Sequence, residues 1–225
     1  KALCFLAALT PLVASLPGVL TPSAHAQSAS LSYDPNANGS VYAMARQPDG
    51  KILVAGGFTD LTSNQIGTPW DRGRMARLNA DGTVDPTFWA AFNNDVERVV
   101  IQPDGNVIVA GKFTAVRTGA NPAEEIARNG LARLLPDGQL DLTWNPNPQG
   151  NAFPQALVRA LALQEDGRLV VGGGFSGFQP NGAGAIVTRN RIARLNTDGT
   201  VDATFDPNAS NVVLALAIDA EGRIL

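Results

Sequence analysis

The sequence predicts an all-β repeat protein of the β-propeller type, built from four-stranded antiparallel blades. Two recurring motifs lead to this fold class. The first, seen as RMARLNADGTVDPTF, occurs three times, at residues 74–88, 130–144 and 191–205. The second, seen as VYAMARQPDGKILVAGGF, begins at Val41, Val96, Val158 and Val213. Self-similarity at this scale indicates a repeat architecture before any single residue is interpreted.

Each copy of the first motif has short apolar runs on both sides of an Asp-Gly turn, which is the pattern of a β-hairpin. A three-residue loop that ends in glycine puts this glycine in the left-handed region, where a Cβ would clash. That loop sets Asn79 opposite Thr83, and counting back places an arginine opposite an aspartate in every copy. The pairs are Arg77 with Asp85, Arg133 with Asp141, and Arg194 with Asp202. We interpret them as stiffening contacts of roughly 0.2 to 1 kcal/mol each, because active sites are rarely repeated in every unit.

The second motif predicts another hairpin, with an apolar run that ends in glycines. Its turn glycines, Gly50, Gly105, Gly167 and Gly222, are 55, 62 and 55 residues apart. Two hairpins in each unit give four strands, and such short strands at a period above forty favour propeller blades. A β-solenoid or an open sandwich is the alternative. Small residues in these runs would allow close approach of backbones; they are Ala43, Ala45, Ala160, Ala162, Gly56 and Gly173.

These motifs divide the chain into six segments. They are a signal peptide at 1–26, the last strand of a partial blade with its connection at 27–40, repeats at 41–95, 96–157 and 158–212, and the truncated start of a fourth repeat at 213–225. Three complete blades with partial ones are fewer than a propeller usually needs for closure. We therefore expect an open arc of blades and a sequence that is a fragment of a longer reading frame.

The N-terminal segment has the features of a cleaved secretory signal. Lys1 precedes a mainly apolar stretch, and Ala24-His25-Ala26 supplies a small-x-small cleavage site. The prolines in the stretch make it a poor membrane-spanning helix, and we expect no span in the mature chain. Cleavage after Ala26 removes Cys4 and His25, the only cysteine and histidine, and with them any disulfide, thiol nucleophile, Ser-His-Asp relay or His/Cys zinc site. The predicted location is secreted or at the cell surface.

The charge balance argues against one class of partner. Twenty acidic residues stand against 17 Lys and Arg, for a net charge of −3. Nucleic-acid binding needs a basic surface, so no nucleic-acid partner is expected.

Variable insertions link the two hairpins of each unit, at 59–73, 114–129 and 176–190. Repeat loops that share one face commonly form the binding surface, so a protein or glycan ligand is expected here. The candidates for ligand binding are Trp70, Asp71, Arg72, Glu124 and Glu125. The tryptophan suits stacking on a sugar or packing of the loop onto a blade. The two glutamates are adjacent, which does not provide the separation across a bond that a glycosidase needs.

Residues 79–85 resemble part of a calcium loop, with oxygen side chains at alternate positions before a glycine. The complete ligand series and the distal bidentate glutamate are missing. Leu135 and Pro136 also replace the first ligand in the second copy, and an Asp-Gly turn explains the same residues. We expect no cofactor, and calcium is the only metal for which the motif offers an argument.

Together, the two motifs and the D-P-N segment after the second hairpin resemble the delta-60 repeat of secreted bacterial β-propeller proteins. The resemblance covers 31–225, and the departures are Lys112 for a glycine, Leu135 for the asparagine and Trp144 for the last phenylalanine. It implies a β-propeller in an exported or surface protein. It implies no activity, cofactor or catalytic residue.

Two hypotheses on function follow. The first is an exported, non-enzymatic β-propeller module that acts as a binding or display scaffold, with its specificity in the insertions. The alternative is a propeller hydrolase or lyase acting on extracellular polysaccharide. It requires carboxylates that do not repeat, such as Asp71 and Glu124, to converge on one mouth of the channel.

Overall fold

Short antiparallel strands make up the computed structural model, which describes residues 35–62, 70–71, 73–118, 124–150, 158–182 and 184–225. Within these ranges there is no α-helix, and one 3-10 turn spans Pro180–Gly182. The described residues all belong to one compact unit, 31–225. The all-β prediction is confirmed, whereas the predicted signal peptide and residues 27–34 lie outside the described residues.

Each of the three repeats forms a three-stranded main sheet whose middle strand is the second strand of the repeat. Strands are numbered here in chain order. The first sheet contains β1 (Val41–Arg46), β2 (Ile52–Gly56) and β5 (Met75–Leu78). The second contains β7 (Val96–Ile101), β8 (Val107–Gly111) and β11 (Leu131–Leu134). The third contains β13 (Val158–Leu163), β14 (Leu169–Gly173) and β17 (Ile192–Leu195).

The expected fourth strand of each blade is reduced to a single bridge. The bridged pairs are Leu78 with Val84, Leu134 with Leu140, and Leu195 with Val201. After Val84, the amide of Asp85 donates to the carbonyl of Arg77 at 2.8 Å. The Asp85 carboxylate then accepts the Thr87 amide at 2.9 Å, which turns the chain away from the sheet. The Asp-x-Thr turn thus ends the strand that the alternation predicted.

The insertions form hairpins rather than loops, and they build a second set of small sheets, the side sheets. The first pairs β3 (Asp60–Leu61) with β4 (Trp70–Asp71), and Ala37 bridges to Leu61. The second contains β6 (Ala90–Phe92), β9 (Ala115–Thr118) and β10 (Ile126–Ala127). The third contains β12 (Pro148–Gln149), β15 (Gly177–Phe178) and β16 (Val187–Thr188). In each, the segment that leaves one unit pairs with the insertion of the next.

The core lies between successive main sheets, because both faces of the middle strands are apolar. Leu53 and Ala55 of the first repeat share a buried cluster with Val107 and Val109 of the second. Ile108, on the other face of β8, shares a cluster with β14 of the third repeat. With β7 packed between β1 and β13, the repeats form an open arc of blades.

Glycines at the ends of the second strands allow close contact within a blade. A Cβ on Gly56 would lie 2.0 Å from the carbonyl oxygen of Ser40, and one on Gly111 would lie 2.1 Å from that of Asp95. The pairing of β1 with β2 shifts register between Val41 and Ala43 at this place. The small residue therefore makes room for a β-bulge in the inner strand.

Residues 213–225 start a fourth repeat. Ile218 bridges to Ile224, and the amide of Asp219 donates to the carbonyl of Arg223 at 3.0 Å across the turn. Val213 packs directly against Gly172 of the third repeat. A Cβ on this glycine would lie only 2.6 Å from the Val213 side chain. The hairpin turn of the second motif thus recurs a fourth time against the third repeat.

Candidate functional site

Strand directions give each repeat two chemically different ends. Since β1, β2 and β5 are antiparallel neighbours, the turns at 48–50 and 80–82 lie at one end, which we call the turn face. The chain crosses from β2 to β5 at the opposite end, which we call the insertion face. Side sheets and the starts of β1, β7 and β13 lie at the insertion face, so the variable residues of successive repeats share one surface.

The structure places the candidates of the first insertion on β4. Trp70 pairs with Leu61 and Asp71 pairs with Asp60 in the strand register. The side chains of Trp70 and Asp71, and the whole of Arg72, lie outside the described residues. Position 72 corresponds in the sequence to Arg128 and Arg189.

Those two arginines hold the outer edge of their own repeats. A guanidinium nitrogen of Arg128 donates to the carbonyl of Asp141 at 3.3 Å, and one of Arg189 donates to that of Asp202 at 3.3 Å. The Arg128 side chain is buried, and this burial lowers its pKa. The same repeated position therefore serves the blade in two of the three units, a role that the insertion argument missed.

The candidates of the second insertion are exposed. The Glu125 carboxylate is exposed and lies 3.6 Å from the Nε of Arg117, a half-buried residue on the neighbouring strand. Glu124 is exposed in the same hairpin. Trp70 and Asp71 belong to the first repeat and the two glutamates to the second, so the candidates share a face but come from different side sheets. Phe178, in the third insertion, is fully buried with its ring 4.8 Å from that of Phe175, so it is a core residue.

The three Arg/Asp pairs predicted from the hairpin register are confirmed. The shortest nitrogen to oxygen distances are 2.8 Å for Arg77–Asp85, 2.7 Å for Arg133–Asp141 and 2.8 Å for Arg194–Asp202. The predicted pairing of Asn79 with Thr83 is also present, with the Asn79 amide donating at 2.8 Å. These carboxylates are committed to contacts inside the blade.

The pKa values of the motif aspartates follow from these contacts. Burial by itself raises the pKa of Asp85, yet hydrogen bonds from Lys51, at 2.7 Å, and from Thr87 hold it well below its usual range. Asp141 shows the same balance, with Thr143 and Arg133 lowering its pKa.

In the turn that resembles a calcium loop, the aspartate carboxylate accepts hydrogen bonds from within the turn. The Asp81 carboxylate accepts the Thr83 amide at 3.0 Å and the Thr83 hydroxyl at 2.6 Å, which lowers its pKa. Thr200 donates to Asp198 in the same way. Among the described residues, no group of three or more Asp, Glu, His or Cys side chains has an arrangement suited to a metal ion.

The motif arginines also connect neighbouring repeats, which hairpin register alone did not indicate. Arg77 donates from its Nη1 to the carbonyl of Pro136, in the turn of the second repeat, at 2.6 Å. Arg133 donates to the carbonyl of Thr197, in the turn of the third repeat, at 2.8 Å. The Arg77 guanidinium also lies 4.8 Å from the ring centre of Phe88, within cation–π range. The signal for this contact was the recurrence of arginine and a terminal aromatic in every copy.

One charged cluster on the insertion face is specific to a single repeat. Lys112 replaces the glycine found at Gly57 and Gly174, and its ammonium lies 3.4 Å from Asp95 and 3.1 Å from Glu97. Hydrogen bonding to Glu97, followed by the charge of Glu97 and the contact with Asp95, outweighs burial and raises the pKa of Lys112. The cluster sits at the start of β7, an inner strand. The departure of Lys112 from the repeat was the sequence signal for it.

A groove of about 560 Å³ opens on the turn face between the third and fourth repeats. Its walls are residues 163–166 and 218–222. The carboxylates of Asp166 and Asp219 are paired with Arg168 and Arg223, both at 2.6 Å. The groove therefore has an acidic rim in which these two carboxylates are ion-paired. The described part of the chain contains no helix that is long and apolar enough to cross a bilayer.

A family model described as "Domain of unknown function (DUF5122) beta-propeller" matches residues 47–88, 102–143 and 164–205. No curated protein matches the sequence.

Several solved structures are similar to the chain. The extracellular domain of a one component system from B. thetaiotaomicron has 17% identity over 83% of this chain and 20% of its own, with a TM-score of 0.43. Virginiamycin B lyase from Staphylococcus aureus has 13% identity over 85% and 64%, with a TM-score of 0.38. PorZ, a surface component of the type-IX secretion system of Porphyromonas gingivalis, has 14% identity over 83% and 32%, with a TM-score of 0.32. The chain spans about a fifth of the length of the first of these structures.

Proposed function

Because the chain belongs to the DUF5122 β-propeller family, we propose that it is an exported, non-enzymatic repeat module that binds a glycan or protein partner through its insertion face. The resemblance to the delta-60 repeat of secreted bacterial propellers and the predicted N-terminal signal peptide support export and a place outside the cell or on its surface.

The supporting observation is that recurring and non-recurring polar side chains have different places in the fold. The charges that recur in every repeat are used within blades and between them, as Arg77 and Asp85 illustrate. Several charges and exposed apolar groups that do not recur lie on the insertion face. They include Lys112 with its two carboxylates, Arg117 with Glu125, and the exposed Ile186 of the third insertion. A surface that varies on a constant frame is suited to specific recognition.

Exchange of the insertion tips tests this proposal. In the chain without residues 1–26, residues 63–69 and 119–123 are replaced by Gly-Ser segments of equal length, and Lys112, Glu125 and Ile186 are replaced by serine, which leaves the strands of the side sheets in place. The probes are a panel of purified extracellular polysaccharides and peptidoglycan sacculi, and binding is measured by co-sedimentation or by biolayer interferometry. A matched control replaces the exposed Glu165 and Glu221 of the turn face with alanine.

We expect the exported chain to bind at least one glycan of the panel, the tip exchange to abolish that binding, and the turn-face control to keep it. Circular dichroism confirms that each variant is folded. Equal binding by the exchanged and unchanged chains would contradict a role of the insertion face, and binding of no glycan would restrict the proposal to a protein partner.

A polysaccharide hydrolase or lyase is retained as the second candidate because Asp71 and Glu124 belong to hairpins of the same face. Asp71→Asn and Glu124→Gln should then abolish the release of reducing or unsaturated sugar ends from a bound polysaccharide. No release by the unsubstituted chain, from any polysaccharide that it binds, would exclude this candidate.

A further inference from the structure

One glutamine in each repeat has a buried amide oxygen without a hydrogen-bond partner. These residues are Gln47, Gln102 and Gln164, which occupy the same position of the second motif, immediately before its turn. Gln47 and Gln102 are 9% and 7% exposed. Native proteins rarely leave a buried polar atom unpaired, because the lost hydration is not replaced. The same orphaned acceptor at three equivalent places indicates a shared partner that is not a protein atom.

Strand register places each of these glutamines at a junction between repeats. The hairpin pairing continues past β1, since the Gln47 amide donates to the carbonyl of Lys51 at 2.8 Å. Gln47 therefore shares a sheet face with Ala45 and with Leu53, and Leu53 packs against the second repeat.

The other two glutamines follow the same geometry. Gln102 lies on the face of Val100 and its partner Ile108, which packs against the third repeat. Gln164 lines the groove between the third and fourth repeats. All three junctions thus hold one glutamine near the turn face.

The fourth repeat shows what a shorter side chain does at this position. Asp219 replaces the glutamine, and its carboxylate accepts the amide of Arg223 at 2.8 Å and that of Glu221 at 3.1 Å, inside its own hairpin. A glutamine carries one more methylene, and its oxygen in the other repeats is not used in the hairpin turn. The amide is therefore available to a group in the junction.

The inner strands that precede these glutamines carry a second set of polar groups. β1, β7 and β13 are each the terminal strand of a main sheet, so among the described residues their other edge is not paired with a strand. Main-chain N–H and C=O groups on such an edge need partners as well. A small molecule that donates to the glutamine and bonds to such an edge would satisfy both kinds of group.

We propose that the junctions at Gln47 and Gln102 each contain an internal water site, in which a water donates to the glutamine Oε1 and bonds to the free edge of an inner strand. A water suits this place because internal waters typically make about three hydrogen bonds to otherwise unsatisfied polar groups. Exchanging the amide oxygen and nitrogen of the glutamine does not remove the need, since the nitrogen would then be the unpaired buried atom. The site is independent of the proposed function, because it lies at the turn end of the junctions and not on the insertion face.

A high-resolution crystal structure of the full chain tests the proposal directly. We expect a density peak at a hydrogen-bond distance of about 2.7 to 3.2 Å from the Oε1 atoms of both Gln47 and Gln102. A protein donor at these atoms, rotation of the side chains into solvent, or absence of the peaks would overturn it.

The sign of a stability change provides a second test. Gln102→Met keeps the size of the side chain and removes its polarity. If a water bridges the junction, its other hydrogen-bond partner loses that contact, and the urea midpoint should fall. If the oxygen has no partner, the replacement removes an unsatisfied group and the midpoint should rise. Gln164→Met is the matched control, because its groove is open to solvent and a smaller change is expected.

Discussion

Replacing each motif arginine with methionine separates the contacts inside a repeat from those between repeats. Methionine keeps an apolar stem of similar reach but removes the guanidinium. Arg194→Met removes the ion pair with Asp202 and the ring contact with Phe205, and Asp202 retains Arg168 at 3.0 Å. Arg194 has no hydrogen bond to a following repeat among the described residues, so it reports the contacts inside a blade.

Arg77→Met removes the same kind of ion pair and ring contact, a 3.1 Å hydrogen bond to the Thr87 hydroxyl, and the hydrogen bond to Pro136 of the next repeat. In this variant Asp85, the ion-pair partner of Arg77, keeps its second ion pair, with Lys51 at 2.7 Å. A hydrogen bond from a charged donor contributes about 1.5 to 3 kcal/mol. We therefore expect Arg77→Met to lower the free energy of unfolding by about 1.5 to 3 kcal/mol more than Arg194→Met does.

Arg133→Met should be the most destabilising of the three. It removes the junction bond to Thr197, and the second repeat has Asn106 where the others have Lys51 and Arg168. Asp141, which is 8% exposed, then has no ion pair within 4 Å. A buried carboxylate that loses its ion pair costs about 1 kcal/mol or more, although the Thr143 hydrogen bonds and the nearby Arg128 guanidinium remain and offset part of this cost.

Urea denaturation of the full chain, followed by tryptophan fluorescence, measures these differences. The expected order of destabilisation is Arg194→Met, then Arg77→Met, then Arg133→Met. Equal losses for Arg194→Met and Arg77→Met would refute a stabilising junction bond. An Arg133→Met variant no worse than Arg77→Met would refute the effect of the missing second cation.

Three further predictions concern single residues. Because the pKa of Asp85 is lowered in the fold, the stability that it contributes is present above its unfolded pKa of about 4 and is lost as pH falls below that value. The difference between the urea midpoints at pH 7 and pH 3 should therefore be smaller for Asp85→Asn than for the unsubstituted chain. Gly130 and Arg191 occupy the same position of the repeat and have the same left-handed conformation, with φ of +64° and +65°. Since this conformation disfavours a side chain, Gly130→Ala should lower the free energy of unfolding by about 1 kcal/mol, whereas Arg191→Gly should not lower it. A urea midpoint unchanged by Gly130→Ala would contradict this. Gly138→Ala should lower the melting temperature more than Gly222→Ala. Both glycines have a positive φ, but a Cβ at 138 would lie 2.9 Å from the Trp89 backbone nitrogen, whereas one at 222 meets no atom within 4 Å. Equal shifts in calorimetry would show that the close contact does not destabilise the fold.

The hairpins and their cross-strand pairs could be predicted from the sequence because they depend on local rules. Alternation sets which side chains share a face, and the Asp-Gly turn sets the register. Counting from the turn was therefore enough to pair Arg133 with Asp141, which the structure confirms.

Contacts that cross from one repeat to another could not be predicted in the same way. The bond from Arg77 to the carbonyl of Pro136 joins residues 59 positions apart, and its geometry depends on how two sheets pack. The hairpin form of the insertions was missed because β3 and β4 have two residues each, too few for alternation to be detected. The cluster around Lys112 was visible only as a departure from the repeat, and its partners Asp95 and Glu97 come from β7 and the residues before it.

The opposition of turn face and insertion face has a practical consequence for presenting the protein on a surface. Ala220 is exposed at a turn tip, and Cys4 is the only cysteine of the sequence and lies in the predicted signal peptide. An Ala220→Cys variant of the exported chain would therefore couple to a maleimide support at one place. All copies would then have the same orientation, with their variable hairpins directed toward the liquid phase, and a dense film would present them to a polymeric ligand as a multivalent array.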